Sequence, residues 1–313
     1  MKSRLVGRDF LTLMDFSKEE IEYILDTATE LKRLWSMKVP HEYLRGRTIA
    51  CLFEKHSTRT RTSFQAGIAH LGAQSFYMRS DELQLARGEP IKDTARVIDR
   101  YCDALVIRTF GQEIVEEFAQ YMENPVINAL TDLTHPCQGL ADLLTIREKK
   151  GSFKGLKLTY AGGPYAVFHT LMTLCPKMGI DTYLAFPDGY EIKESLLQFA
   201  KKQAEQTGAK LVLTHDLEEA VTDADVIYAN VWHSMAAAHT KTREERLTDF
   251  APFQINDAAL AKAKADVIFM HCLPGNRGEE MTDEVVEGSH SVVWDEAENR
   301  MHTQKAILSL VVA

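Results

Sequence analysis

Thr48-Ile49-Ala50-Cys51-Leu52-Phe53-Glu54-Lys55-His56-Ser57-Thr58-Arg59-Thr60-Arg61 is the stretch on which the fold turns. Its first six residues form an apolar run of strand length, and a polar loop then leads into the helical pattern TSFQAGIAHLG. Strand, loop and helix in that order make the repeating unit of a parallel α/β sheet. The alternation continues with ALVI at 104–107, PVIN at 125–128, LKLTYAG, DTYLAF, KLVLT, DVIYAN, DVIFMH and SVVW, each read as a strand. The expected class is α/β, with two doubly wound parallel-sheet domains, a cleft between them and a C-terminal helix crossing back.

The chain has 313 residues, which at a prior of about 150 residues per domain suggests two domains. The polar, glycine-bearing stretch EKKGSFKG at 148–155 suits a connection, so the expected division is 1–147, 148–297 and a final helix 298–313. With 45 acidic and 36 basic residues the net charge is −9, which argues against a nucleic-acid partner. No apolar run reaches the roughly 20 residues that span a bilayer, and the start MKSRLVGRDF lacks a signal-peptide core. A cytoplasmic protein without a membrane partner is expected. Five cysteines, widely spaced and without a CxxC pair, indicate neither a disulfide framework nor a zinc cluster.

In open α/β sheets ligand groups gather in the loops at the carboxyl ends of strands. The loop after TIACLF has the chemistry of an anion cradle. Ser57 can cap the helix, the N–H groups of the first turn point outward, and hydroxyl and guanidinium side chains alternate around one spot. A capped helix with solvated basic residues is the plainer alternative. There is no GxxxxGK[ST] run, and the loop lacks the glycines of a dinucleotide fingerprint. Arg108 after ALVI, His135-Pro136-Cys137-Gln138, His271-Cys272-Leu273-Pro274 and Asp295–Arg300 occupy comparable strand ends. Singly, such an arginine is often a surface residue, such a histidine structural and such a cysteine core filler.

Taken together, Ser57-Thr58-Arg59-Thr60-Arg61, His135-Pro136-Cys137-Gln138, His271-Cys272-Leu273-Pro274 and Asp295-Glu296-Ala297-Glu298-Asn299-Arg300 closely resemble the ornithine carbamoyltransferase family, in order and spacing along nearly the whole chain. FLTLMDFSKEEI at the start and DTARVIDR at 93–100 lie in register with them. The resemblance implies carbamoyl transfer from carbamoyl phosphate to an amine, without a cofactor. Residues 1–147 would bind carbamoyl phosphate and 148–297 the amine. Ser57, Thr58, Arg59 and Thr60 would hold the phosphate, Arg108 and His135 would lie near its oxygens and the carbonyl, and Gln138 would position the carbamoyl amide. Gln84 stands where relatives reach into a neighbouring subunit's site, which implies a homotrimer or a multiple of one. Cys272 and the Leu273 carbonyl would approach the reacting nitrogens, with Arg300 beside the carbamoyl oxygen. Either Cys272 or the departing phosphate could take the proton from the amine.

The acceptor side departs from the family pattern. Relatives carry a Gly-Asp-x-Asn-Asn-like run where this chain reads Gly162-Gly163-Pro164-Tyr165-Ala166. They read Asp-x-Trp-x-Ser-Met-Gly where it reads Asn230-Val231-Trp232-His233-Ser234-Met235-Ala236. An asparagine for the substrate carboxylate and an aspartate for its α-ammonium are both gone, and unpaired charges are costly to desolvate. The expected acceptor is therefore an ornithine-like or modified amine. An ornithine enzyme with a rebuilt pocket, and a catalytically silent binding protein, are the alternatives. Tyr165, Ala166, Asn230, Ser234, Met235 and Cys272 are the acceptor-side candidates.

Overall fold

The structure is a computed structural model, and residues 4–233 and 241–312 are described. The chain divides into two compact units, one of Met1–Leu144 with Glu298–Ala313 and the other of Thr145–Ala297. Among the described residues no helix is long and apolar enough to cross a membrane.

The first unit holds four parallel strands, β1 (Thr48–Phe53), β2 (Gln74–Arg79), β3 (Ala104–Arg108) and β4 (Val126–Leu130), in the order β2-β1-β3-β4. Alternate residues of β1 and β3, Ala50, Leu52, Leu105 and Ile107, pack with Ala95, Ile98, Val115 and Phe118. These last four come from the helices Ile91–Tyr101 and Gln112–Tyr121, as the period-two alternation of a strand requires. The strand order reverses between β1 and β3, the topological switch point where such sheets bind ligands. Phe53 lies opposite Arg79 on one side and Arg108 on the other, so the loop leading to Ser57 starts level with Arg108. The β3–β4 register shifts between Ile107 and Arg108, which re-aims the arginine at the strand end.

The second unit has five parallel strands, β5 (Lys157–Ala161), β6 (Asp181–Ala185), β7 (Leu211–Thr214), β8 (Val226–Ala229) and β9 (Ile268–Met270), ordered β7-β6-β5-β8-β9. Its switch point falls between β5 and β8. The loops there touch, because a Cβ on Gly162 (φ +150°) would lie 2.6 Å from the Asn230 carbonyl oxygen. Only glycine fits that approach and that backbone angle.

Three features differ from expectation. Strand β2 is additional to the strands read from sequence; QSFYMR is an edge strand with no buried position, so its apolar signal is weak. Residues 291–294, SVVW, are not a strand, since only Ser291 bridges to Phe269 and the last helix already begins at Val293. The helix Pro136–Lys150 also runs into the polar stretch that begins at 148. No isolated apolar tetrad distinguishes a strand from the first turn of a buried helix.

Candidate active site

In the first unit the cradle begins with a helix cap. Ser57 has extended backbone angles, and its Oγ accepts the Thr60 N–H at 3.2 Å at the start of the helix Thr58–His70. Thr60 is buried, and its Oγ1 accepts from Arg108 Nη1 at 3.1 Å and from Arg300 Nη2 at 2.5 Å. Two guanidinium groups from distant parts of the sequence thus meet on one hydroxyl beside a helix N-terminus. The last helix reaches this point because it packs along Thr58–His70, where Gly67 leaves room for Lys305 Cγ. Lys32 secures it by donating to Asn299 Oδ1 at 2.7 Å.

His135 is buried, and burial followed by the fields of Arg300 and Arg108 holds its imidazole well below the usual histidine range. It is neutral at pH 7 and can donate one hydrogen bond without adding charge. Gln138, one helical turn on, donates from Nε2 to Asp142 Oδ1 at 2.8 Å in a fully buried pair. Sequence reasoning missed Asp142, although its i,i+4 spacing from Gln138 was visible. It also passed over Lys55, whose ammonium sits 3.5 Å from the Phe110 ring centre and is lowered by burial and then by Arg108. Arg61 does not join the cluster; its guanidinium lies over Tyr77 and donates to Gln65. Cys137 donates to the Asn128 carbonyl and burial pushes its thiol up to about 12, so it is inert core. Thr58 and Gln84 are exposed, Arg59 is half-buried, and Gln84 opens the short helix Gln84–Arg87.

In the second unit Asn230 and Tyr165 flank the touching loops. Asn230 Nδ2 donates to Tyr160 Oη at 2.8 Å, and its Oδ1 accepts the Val231 N–H at 2.9 Å. The Cys272 thiol donates to the same Oδ1 at 3.5 Å. Tyr160, another residue missed, passes its own hydroxyl hydrogen to the Gly163 carbonyl at 2.7 Å. Burial holds that phenol well above its ordinary value, so it stays neutral. Tyr165 reaches across to donate to the Trp232 carbonyl at 3.1 Å, and burial pushes it up to about 12 against the opposing field of Arg246. Ala166 opens the following helix and offers only a methyl group.

The His271–Pro274 turn is held from behind. Glu296 accepts from Tyr228 Oη at 3.1 Å and from the His271 N–H at 2.9 Å. His271 Nδ1 accepts the Leu273 N–H at 2.8 Å, and its Nε2 lies 3.3 Å from Glu280. Leu273 has φ +54°, an angle a branched residue adopts only when its neighbours impose it. Cys272 is left half-buried at the tip. Ser234 and Met235 lie outside the described residues.

Residues 8–148 match the carbamoyl-P binding domain of the aspartate/ornithine carbamoyltransferases, and residues 154–311 match their Asp/Orn binding domain. The anabolic ornithine carbamoyltransferase of Pyrococcus furiosus is 49% identical over 308 residues, covering 98% of this chain and 97% of that one. The ornithine carbamoyltransferase of Anoxybacillus flavithermus is 50% identical over 305 residues, covering 97% and 96%. Among solved structures the P. furiosus enzyme superposes with a TM-score of 0.95 at 49% identity, covering 100% and 99% of the two chains. The Giardia lamblia enzyme gives 0.86 at 31% identity, covering 97% of each. Nothing in these comparisons favours a catalytically silent binding protein. The chain belongs to the ornithine carbamoyltransferase family, and it is an enzyme that transfers carbamoyl from carbamoyl phosphate to an amine with release of phosphate.

Proposed function

We propose that carbamoyl phosphate binds with its phosphate on the first turn of Thr58–His70, held by Ser57, Thr58, Arg59 and Thr60. The observation that carries this is the meeting of Arg108 and Arg300 on Thr60 Oγ1 beside the helix N-terminus. Neutral His135 and Arg300 donate to the carbamoyl oxygen, and Gln138, turned by Asp142, orients the carbamoyl amide. Attack by the amine places negative charge on that oxygen and then expels phosphate, so donors fixed beforehand at both places lower the barrier. The Leu273 carbonyl accepts from the carbamoyl nitrogen, and Cys272 lies beside the attacking amine. Gln84 completes the site of a neighbouring subunit in a homotrimer. Its exposure supports this, as do Phe76, Val97 and Tyr101, which are 44%, 50% and 73% exposed on β2 and the helix Ile91–Tyr101 either side of the Gln84 segment. Five free thiols, four of them buried, support a place in the reducing cytoplasm.

The acceptor is an amine that lacks a free α-ammonium group. Asn230, where relatives hold an aspartate, carries no charge, and both ends of its amide are engaged. The buried carboxylates of Glu296 and Glu280 are occupied with Tyr228, His271 and Asn276. A second reading, ornithine itself, is favoured by the names of the relatives at 49–50% identity. Phosphate release from carbamoyl phosphate, measured across ornithine, lysine, 2,3-diaminopropionate, putrescine, 5-aminopentanoate and Nα-acetylornithine, separates the two. Ornithine saturating at or below low millimolar, with the highest kcat/KM of the set, would sink the first reading.

A further inference from the structure

Arg246 lies on the helix Arg243–Phe250, whose start is fixed by a capping box between Thr242 and Glu245. It is only 5% exposed, yet its side-chain hydrogen bond runs to a backbone carbonyl, that of Lys241, and among the described residues its buried Nε has no partner. Among the described residues no carboxylate pairs with it. A buried guanidinium without a counter-charge is expensive, and it persists where the charge has a use.

The surroundings indicate the use. Phe250, four residues on and therefore on the same helix face, has its ring 4.9 Å from Tyr190 and 6.1 Å from Trp232. Arg246 sits close enough to the Tyr165 and Tyr190 phenols for its field to act on both. Tyr165 is in turn bonded to the Trp232 carbonyl, and the Trp232 indole Nε1 is a second buried donor that meets no acceptor among the described residues. Tyr190 and Lys241 both donate to Asp249, at 3.0 and 2.7 Å. Lys241 is thus neutralised by Asp249, with Glu245 a further carboxylate in its field, whereas among the described residues Arg246 has no carboxylate bonded to it. The cluster stands on Tyr165 and Trp232, at the β5–β8 switch point where the acceptor loops lie.

We propose that Arg246 is the residue that binds a carboxylate of the acceptor, with the Trp232 indole as a further donor. Resting on the acceptor reading above, this makes the substrate class an ω-amino carboxylate whose α-amino group is absent or acylated. The test compares 5-aminopentanoate with its uncharged amide, 5-aminopentanamide, in the wild type, Arg246→Gln and Arg246→Lys. The wild type should prefer the carboxylate in kcat/KM by on the order of 10–100-fold, the worth of one charge-assisted contact. Arg246→Gln should lose that preference while leaving the amide's kcat/KM and the KM for carbamoyl phosphate near wild type. Arg246→Lys, a point charge without the planar fork, should keep part of it. A residue that only braced the Lys241 turn would lower both rates and leave their ratio alone.

The assignment is overturned by a wild type indifferent to the carboxylate, or by Arg246→Gln retaining the preference. Should that variant fail to fold, an Arg246→Lys ratio equal to wild type overturns it and a reduced ratio supports it. If ornithine outperforms 5-aminopentanoate, the reading of a missing α-ammonium falls. The Arg246 assignment then survives only if Arg246→Gln abolishes discrimination between ornithine and ornithinamide.

Discussion

In the first unit the end of β3 and the last helix bring Arg108 and Arg300 onto Thr60 beside a helix N-terminus, whereas in the second the strand ends and their loops bring together an amide, two phenols and a thiol. Both sites sit at the point where the strand order reverses, so topology sets their positions alike. Chemistry makes them unequal. A phosphate that arrives charged and leaves charged needs fixed cations, and none can be exchanged for a neutral group without losing charge stabilisation. The acceptor loops form a neutral chain, from Cys272 to Asn230 to Tyr160 to Gly163, in which each donor meets an acceptor inside the protein. Such a chain tolerates altered partners as long as hydrogen bonds are conserved.

The comparison breaks first if the cationic side is dispensable. Arg59→Ala should lower kcat/KM on the order of 10²–10³-fold with any acceptor, the usual cost of one preorganised donor. Its thermal melt should match wild type, because Arg59 is half-exposed on a first helical turn. Turnover within threefold of wild type, measured by phosphate release, would remove the cradle from the mechanism.

The neutral side is sharpened by adding charge. Asn230→Asp should raise kcat/KM for ornithine on the order of 10–100-fold, since a charge-assisted bond to an ammonium is worth about 1.5–3 kcal/mol. Tyr160 has a single hydroxyl hydrogen, so bonding the new carboxylate means withdrawing it from the Gly163 carbonyl. KM for carbamoyl phosphate should not move. An unchanged or lower ornithine rate would mean that residue 230 does not face the α-position.

A smaller effect tests whether the first site is completed from outside. Gln84→Ala and Arg59→Ala, each nearly inactive alone, should regain part of the wild-type rate when their subunits are exchanged, because mixed trimers contain some sites free of both lesions. A fully active monomer in dilute solution, checked by light scattering alongside the assay, would refute it.

How much of this was readable from sequence differed by level. The strands from 48–53 to 268–270 were legible because each is a short apolar run ended by a polar loop. β2 was not, because an edge strand with one half-exposed face lacks that contrast, and SVVW misled because buried first helical turns look the same. The cradle residues were legible as a motif, and the structure shows how they are held. Thr60 as the junction of two arginines depends on Arg300, 240 positions away, and no local pattern records that pairing. Asp142, Tyr160 and Arg246 were missed because burial and tertiary contacts give each its place, Asp142 against Gln138, Tyr160 between Asn230 and Gly163, and Arg246 on a helix beyond the acceptor loop, and no local pattern marks them.

The smallest expected effect concerns Lys305, which ties the Arg300 helix to the rest of the first unit. Its ammonium is buried and donates to the Leu31 carbonyl at 3.3 Å. It also lies 3.1 Å from His41 Nε2, whose ring partner Nδ1 is engaged with the Val39 carbonyl, and 5.8 Å from the Trp35 ring. The charged neighbours are Glu298, which favours the ammonium, and His70, whose imidazole Lys305 helps to push down. Burial outweighs Glu298 and brings Lys305 down from 10.5 to about 8. The sign follows from proton counting. Between pH 8 and 10.5 the unfolded chain binds more protons at this residue than the folded one, so its contribution to stability rises with pH across that window and is fully present above 10.5. Below pH 8 the folded protein bears the whole cost of the buried charge. Lys305→Met, of similar length and without charge, removes that cost but also the bonds to Leu31 and His41. Its melting temperature relative to wild type should therefore be most favourable at pH 7 and fall by roughly 2–4 °C per kcal/mol of lost advantage as pH approaches 10. Differential scanning calorimetry of both proteins at pH 7, 8, 9 and 10 measures this, and a difference independent of pH would show that Lys305 does not titrate in the window.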